Sequence, residues 1–196
     1  MVFAHSELSS AKNLTPVKLV IAGGFGVGKT TFVHTISEIR PVSTEAQMTE
    51  VSIGVDDTSK VAGKTTTTVA MDFGRLRVDG GFMLYLFGTP GQDRFGFMWD
   101  DLVRGAIGAI VLVDTRRFDD CWYAVDYFED RDIPFVVGVN CFNGLLHHDL
   151  EDVREALAVG DHVPVLSFDA RDKESTKGML VAVLERALER ALLRSM

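Results

Sequence analysis

The residues Gly23-Gly24-Phe25-Gly26-Val27-Gly28-Lys29-Thr30 satisfy the pattern G-x-x-x-x-G-K-[ST]. Glycines at these places let successive backbone N–H groups turn inward around phosphate oxygens, and a helix that starts at the end of the loop adds its positive dipole end. Lys29 brings a point charge to the outer phosphates. The Thr30 hydroxyl, with Thr31 beside it, stands where it can ligate Mg²⁺. Such a loop implies a nucleotide site, yet a phosphate cradle alone does not separate a kinase from an ATPase or a GTPase.

The motif has meaning only between a strand and a helix, and the flanking pattern supplies both. Residues 17–22 (VKLVIA) form a β-branched run expected to be a buried strand. Residues 30–39 read as a helix stopped by Pro41. Residues 41–64 are polar with little periodicity and read as a long functional loop. Strands are expected at 66–78 and 82–87, joined at Asp79-Gly80-Gly81 as a hairpin. Strand and helix then alternate: 106–113 strand, 118–130 helix, 134–140 strand, 150–159 helix, 162–168 strand and 174–194 helix. In the last helix Leu180, Leu184, Ala187, Leu188, Ala191 and Leu192 fall on one face, expected to pack. The expectation is a three-layer α/β fold with an about six-stranded, mostly parallel sheet and one antiparallel hairpin strand. Residues 1–15 read as a loose tail and residues 16–196 as a single domain.

Composition narrows the function further. The chain has 196 residues, enough for one domain with a real core, and a formal charge of −8, which argues against a nucleic-acid or anionic-membrane binder. Two cysteines, Cys121 and Cys141, exclude a disulfide scaffold and fit a reducing compartment. No apolar stretch is long enough to span a bilayer, no secretory leader is visible, and neither Val2 nor the Leu-Leu-Arg-Ser-Met end suits a lipid anchor. A cytoplasmic protein without a direct membrane anchor is expected.

Two further segments narrow the class: Phe87-Gly88-Thr89-Pro90-Gly91-Gln92-Asp93-Arg94-Phe95, and Thr67-Thr68-Val69-Ala70-Met71-Asp72-Phe73-Gly74. With the phosphate loop about sixty residues upstream of the first, the chain resembles the Ras-like small GTPases over roughly residues 16–194. It is most similar to the bacterial GTPases encoded in actinomycete conservons, with the polarity GTPase MglA a more distant relative. The resemblance implies a P-loop G domain that binds GTP and GDP with Mg²⁺. It also implies a signalling switch whose partners are a roadblock-fold protein and a histidine-kinase-like membrane sensor, which would bring it to the inner face of the membrane. By this likeness Gly91 meets the γ-phosphate and Gln92 orients the attacking water. The bland alternative for Gln92 is an exposed loop glutamine.

The match is uneven. Gly88 stands where Ras-like proteins carry the aspartate that holds a Mg²⁺-bound water. Asp72, on the neighbouring strand, reaches the metal from the side on one reading and faces solvent on an edge strand on the other. Thr68, then Thr67, is the choice for a switch threonine that joins the metal shell; a β-prone strand start is the alternative. Phe25 replaces a glycine common in fast-switching relatives and crowds a partner's arginine finger, so slow hydrolysis is expected.

Guanine is read in that class by N-K-x-D and by a turn after the last strand. Here these are Asn140-Cys141-Phe142-Asn143 and Asp169-Ala170-Arg171. Asn140 matches, and the Ala170 N–H is expected to donate to guanine O6, flanked by Asp169 and Arg171. Cys141 replaces the lysine whose stem covers the base, with Phe142 as apolar cover. Asn143 replaces the aspartate that accepts from two guanine donors, a loss of about 2–4 kcal/mol. Alternatively Asn143 serves the turn beside Gly144. The rival functions are a P-loop protein using ATP or another purine nucleotide, and a nucleotide-binding scaffold with little hydrolysis. The five histidines show no metal spacing. The large apolar residues Phe95, Phe97, Met98 and Trp99, like the aromatic cluster Trp122, Tyr123, Tyr127 and Phe128, read either as core or as a partner surface.

Overall fold

The structure, a computed structural model, describes residues 14–49, 66–91, 96 and 98–195. Seven strands form one sheet in the order β2-β3-β4-β1-β5-β6-β7. They are β1 (Thr15–Gly23), β2 (Val42–Thr49), β3 (Thr66–Val78), β4 (Phe82–Gly88), β5 (Gly108–Val113), β6 (Phe135–Asn140) and β7 (Val165–Phe168). β3 runs antiparallel to both its neighbours, while β4, β1, β5, β6 and β7 are parallel. The helices are α1 (Lys29–Ile36), α2 (Trp99–Val103), α3 (Trp122–Asp130), α4 (Leu150–Leu157) and α5 (Lys173–Arg194).

The period of two in the buried strands builds the three layers. From β1, Leu19 and Ile21 join Phe32 and Ile36 of α1 and Met179, Leu180 and Val183 of α5. Val20 and Ala22 point the other way, to Trp99 of α2, Phe128 of α3 and Val153 of α4. Burying both faces explains why β1 and β5 read as continuous apolar runs. The hairpin turn at Asp79-Gly80-Gly81 lies where the residue types place it.

Four differences from the sequence reading matter. The expected six strands are present, and β2 comes in addition, out of the stretch read as loop; the rest of that stretch, residues 50–65, lies outside the described residues. β3 is therefore an interior strand, so Asp72 does not face solvent from an edge. β1 begins at Thr15, one residue inside the expected tail, whose residues 1–13 lie outside the described ones. In α5 the buried face is Thr176, Met179, Leu180 and Val183, whereas Leu188 and Leu192 are exposed. The helix outruns the sheet, so its last two turns have no strand beneath them.

Gly74 shows how closely α1 lies on β3. A Cβ there would stand 2.7 Å from Val33 Cγ1 and 3.1 Å from Ser37 Cβ. Gly74→Ala must push α1 from the sheet and is expected to cost about 1–3 kcal/mol in urea unfolding. An unchanged midpoint would contradict this packing.

Candidate functional site

The carboxyl ends of β1, β4, β5, β6 and β7 meet at one edge of the sheet, the crevice where open α/β sheets place their ligands. The phosphate loop leaves β1 there. Gly28 caps α1 with φ 111°, and a Cβ would lie 2.7 Å from Asn140 Nδ2, so only glycine fits both the turn and the approach. Asn140 is buried at the end of β6. Its Nδ2 donates to the Val27 carbonyl at 2.9 Å and its Oδ1 accepts from the Ala170 N–H at 3.1 Å.

Lys29 is buried, and its Nζ donates to the carbonyls of Gly23 and Gly24 at 2.7 and 2.6 Å. Burial pulls its ammonium down to about 8, offset in part by the charges of Asp72 and Asp120. Gly91 packs on the same ammonium: a Cβ would meet Lys29 Nζ at 2.6 Å and Phe25 Cα at 2.9 Å. A residue larger than glycine is excluded there. Thr31 is exposed on the first turn of α1.

The Thr30 Oγ1 donates to Asp72 Oδ2 at 2.5 Å. Asp72 is buried and lies against Gly88, where a Cβ would meet its Cβ at 3.2 Å and its Oδ2 at 3.4 Å. The carboxylate on β3 thus fills the space that a side chain at Gly88 would claim. A hydroxyl and a carboxylate oxygen converging beside the phosphate loop are hard donors of the kind Mg²⁺ takes, with the remaining positions left to water and phosphate oxygens. Thr68 lies four residues earlier in β3, opposite Gln47 of β2, about 13 Å of extended strand from Asp72. Its side chain, like that of Thr67, lies outside the described ones. For Thr68 to join Thr30 and Asp72, this part of β3 must leave β2. Gln92 also lies outside the described residues.

On the side expected to read the base, the Ala170 N–H donates to Asn140 Oδ1 at 3.1 Å, so donation to a guanine O6 would need that hydrogen bond to be shared or exchanged. Asn143 is exposed with φ 61°, followed by Gly144 at φ 74°, a left-handed pair that favours asparagine and glycine for the turn itself. Asp169 and Arg171 bond to each other, with Arg171 Nη2 to Asp169 Oδ2 at 2.7 Å. Cys141 is partly buried, which raises its thiol, and its N–H donates to the Phe168 carbonyl.

Several residues at the site were not singled out from the sequence. Arg116 donates to both carboxylate oxygens of Asp114 at 2.8 Å and stacks 3.8 Å above the Phe142 ring. Phe142 therefore has one face covered by a guanidinium. Arg117 Nη1 donates to the Phe25 carbonyl at 3.0 Å. Thr89 Oγ1 is buried next to Gly88 with no hydrogen-bond partner among the described residues. The paired arginines after β5 were the visible hint. The aromatic question resolves in part: Trp99 is buried against Tyr127 and Phe128 and packs on the exposed Tyr123, so these rings hold α2 on α3, while Phe95 and Phe97 lie outside the described residues.

This fold and loop define a P-loop nucleotide-binding protein with the architecture of a small-GTPase G domain. The chain belongs to the ATP_bind_1 family, described as conserved hypothetical ATP binding protein, whose model matches residues 21–190. It is 29% identical over 126 residues to uncharacterized protein MJ1339 of Methanocaldococcus jannaschii, covering 63% of this chain and 69% of that protein. Its structure is similar to the G domain of the T. maritima FeoB iron transporter (TM-score 0.60, 17% identity, 88% of this chain and 99% of that one). The FeoB G domain of Methanococcus jannaschii is comparably similar (TM-score 0.58, 13% identity, 89% and 99%). These structural likenesses speak for the fold.

The depressed Lys29 makes a pH-dependent prediction. Bound phosphate favours the ammonium, so above about pH 8 the complex holds more protons than the free chain, and affinity falls as pH rises. Nucleotide affinity should be flat from this group well below pH 8 and weaken by up to about tenfold per unit above it. Titrations across that range, with proton uptake measured by calorimetry in two buffers, check this. A flat profile would contradict the buried ammonium.

Proposed function

We propose that the chain is a Ras-like molecular switch that binds GTP and GDP with Mg²⁺ and hydrolyses GTP slowly within a bacterial signalling complex. The observation that carries this reading is the contact between Thr30 and Asp72 beside Gly88. It supplies, from the neighbouring strand, the acidic oxygen that the Gly88 position lacks. Mg²⁺ held by Thr30 and Asp72 would neutralise charge on the outer phosphates. Lys29 and the loop amides from Gly24 to Thr31 cradle the phosphates, and Gly91 responds to the outermost one. Gln92 orients the water. Asn140 braces the loop, while Cys141, Asn143, Asp169, Ala170 and Arg171 line the base side. Thr68 enters the metal shell when β2 releases this part of β3.

Slow hydrolysis follows from Phe25, which is 64% exposed and stands where a partner's arginine would have to enter. The segments TTVAMDFG and GTPGQDRF support placement in the conservon branch, with a roadblock-fold protein and a histidine-kinase-like sensor as partners. Among the described residues no helix is long and apolar enough to cross a membrane, so recruitment to the inner face would come through those partners.

A second reading is ATP, which the family's description favours. The exposed, left-handed Asn143 supports it too, since that conformation accounts for the residue without guanine.

Titration with GTP, XTP and ATP, in Mg²⁺ and then in EDTA, separates the readings. GTP is expected to bind most tightly, and Asp72→Asn should lose about 10–100-fold of the Mg²⁺-dependent affinity while leaving binding in EDTA unchanged. Preference for ATP moves the assignment to the second reading. Equal affinities with and without Mg²⁺ would dismiss the role of Asp72.

A further inference from the structure

Two adjacent arginines follow β5 in the 3₁₀ segment Thr115–Cys121, and their fates differ. Arg116 is locked by the Asp114 carboxylate and by the Phe142 ring. Arg117 has backbone angles of φ −140° and ψ 57°, which break the helical path and send its side chain to the phosphate loop. There Nη1 donates to the Phe25 carbonyl at 3.0 Å and lies 3.7 Å from where a Cβ of Gly26 would stand. Nη2 pairs with Asp120 Oδ2 at 2.5 Å, and Asp120 itself packs against Gly24. The guanidinium is half exposed, so it is seated on the loop without being walled in.

We propose that Arg117 is a catalytic arginine supplied by the chain itself, which leaves the Phe25 carbonyl to meet the β- and γ-phosphate oxygens as charge builds on them. This rests on the reading of the chain as a nucleoside triphosphate hydrolase. In that reaction a water oxygen bonds to the γ-phosphorus while the bond from γ-phosphorus to the β–γ bridging oxygen breaks. The electron pair stays on the bridging oxygen, and a water proton ends on the released phosphate. The bridging and γ-oxygens carry the growing charge, and a planar fork of donors suits them better than a point charge.

The location fits the task. The peptide that Arg117 caps by its carbonyl end carries the Gly26 amide at its other end, with the Val27 amide next along the cradle. Lys29 is committed to the carbonyls of Gly23 and Gly24 on the inner side of the loop. Arg117 is thus the cation on its outer side, and it stands at the same residue, Phe25, whose ring hinders an arginine from another protein. Because Arg117 is already seated on the Phe25 carbonyl, it does not have to approach from outside the chain. Asp120 holds the charge in reserve, and a phosphate oxygen replaces the Phe25 carbonyl as the better acceptor.

Single-turnover hydrolysis of bound GTP (or ATP, if the titration selects it) tests the proposal. It is run on wild type, Arg117→Ala and Arg117→Lys. Diphosphate affinity and formation of the diphosphate–aluminium fluoride complex are followed on the same samples by tryptophan fluorescence. Arg117→Ala should turn over about 10³-fold more slowly and lose the fluoride complex, with diphosphate affinity within about threefold of wild type. Arg117→Lys, lacking the fork, should remain well below wild type. Wild-type turnover in Arg117→Ala would overturn the proposal, as would a loss of turnover matched by an equal loss of diphosphate affinity, the mark of a loop brace alone. A wild-type chain that binds nucleotide yet shows neither turnover nor a fluoride complex would remove the hydrolase reading, and the proposal with it.

Discussion

A carboxylate withdrawn from water must be compensated, and the neighbourhood of Asp72 is arranged around that demand. The Thr30 hydroxyl donates to it at 2.5 Å. Gly88 leaves it room, since any Cβ there would press on its side chain. The register of β3 on β4, with Phe73 opposite Phe87, sets Asp72 beside Gly88 at the end of the strand that leads to Thr89 and Gly91. The carboxylate stands on β3, one ladder of hydrogen bonds from Gly88 on β4, and is turned to Thr30 at the end of the phosphate loop. β2 pairs along the other side of β3 and makes it an interior strand. An edge position would leave the same carboxylate hydrated and free to turn away.

A second buried polar group does comparable work for the base side. Asn140 spends its amide on Val27 and Ala170, tying the phosphate loop after β1 to the ends of β6 and β7. Thr35 of α1 adds a hydrogen bond to the Ala170 carbonyl at 2.7 Å. Three chain segments far apart in sequence are thus fixed before any base arrives.

Much of this was legible in the residues. The glycine-rich motif between an apolar run and a helix identified the phosphate loop, and alternating patterns located the parallel strands to within a few residues. β2 was hidden because Val42–Thr49 mixes charged, polar and apolar residues without a clean alternation; its pairing with β3 is a non-local fact. The burial of Asp72 depends on that strand, so it was hidden too. The face of α5 was misjudged because helical periodicity says which residues align, not where the sheet beneath them ends. Asn143 was open to two readings from residue type, and its backbone conformation favours the turn.

The segment Thr115–Cys121 joins the halves of the site. Through Asp114 and Arg116 it holds Phe142 on the base side. Through Arg117 and Asp120 it touches Phe25 and Gly24 on the phosphate side. It runs directly into α3, whose Tyr123, Tyr127 and Phe128 grip Trp99 of α2, eight residues beyond Gly91. Asp100 extends the grip by accepting from the Tyr127 hydroxyl at 2.6 Å and from Arg131. Thr115–Cys121 thus packs, through Arg117 and Asp120, on the phosphate loop and, through Arg116, on the Phe142 ring, so loop, ring and α3 are joined by direct contacts outside the sheet.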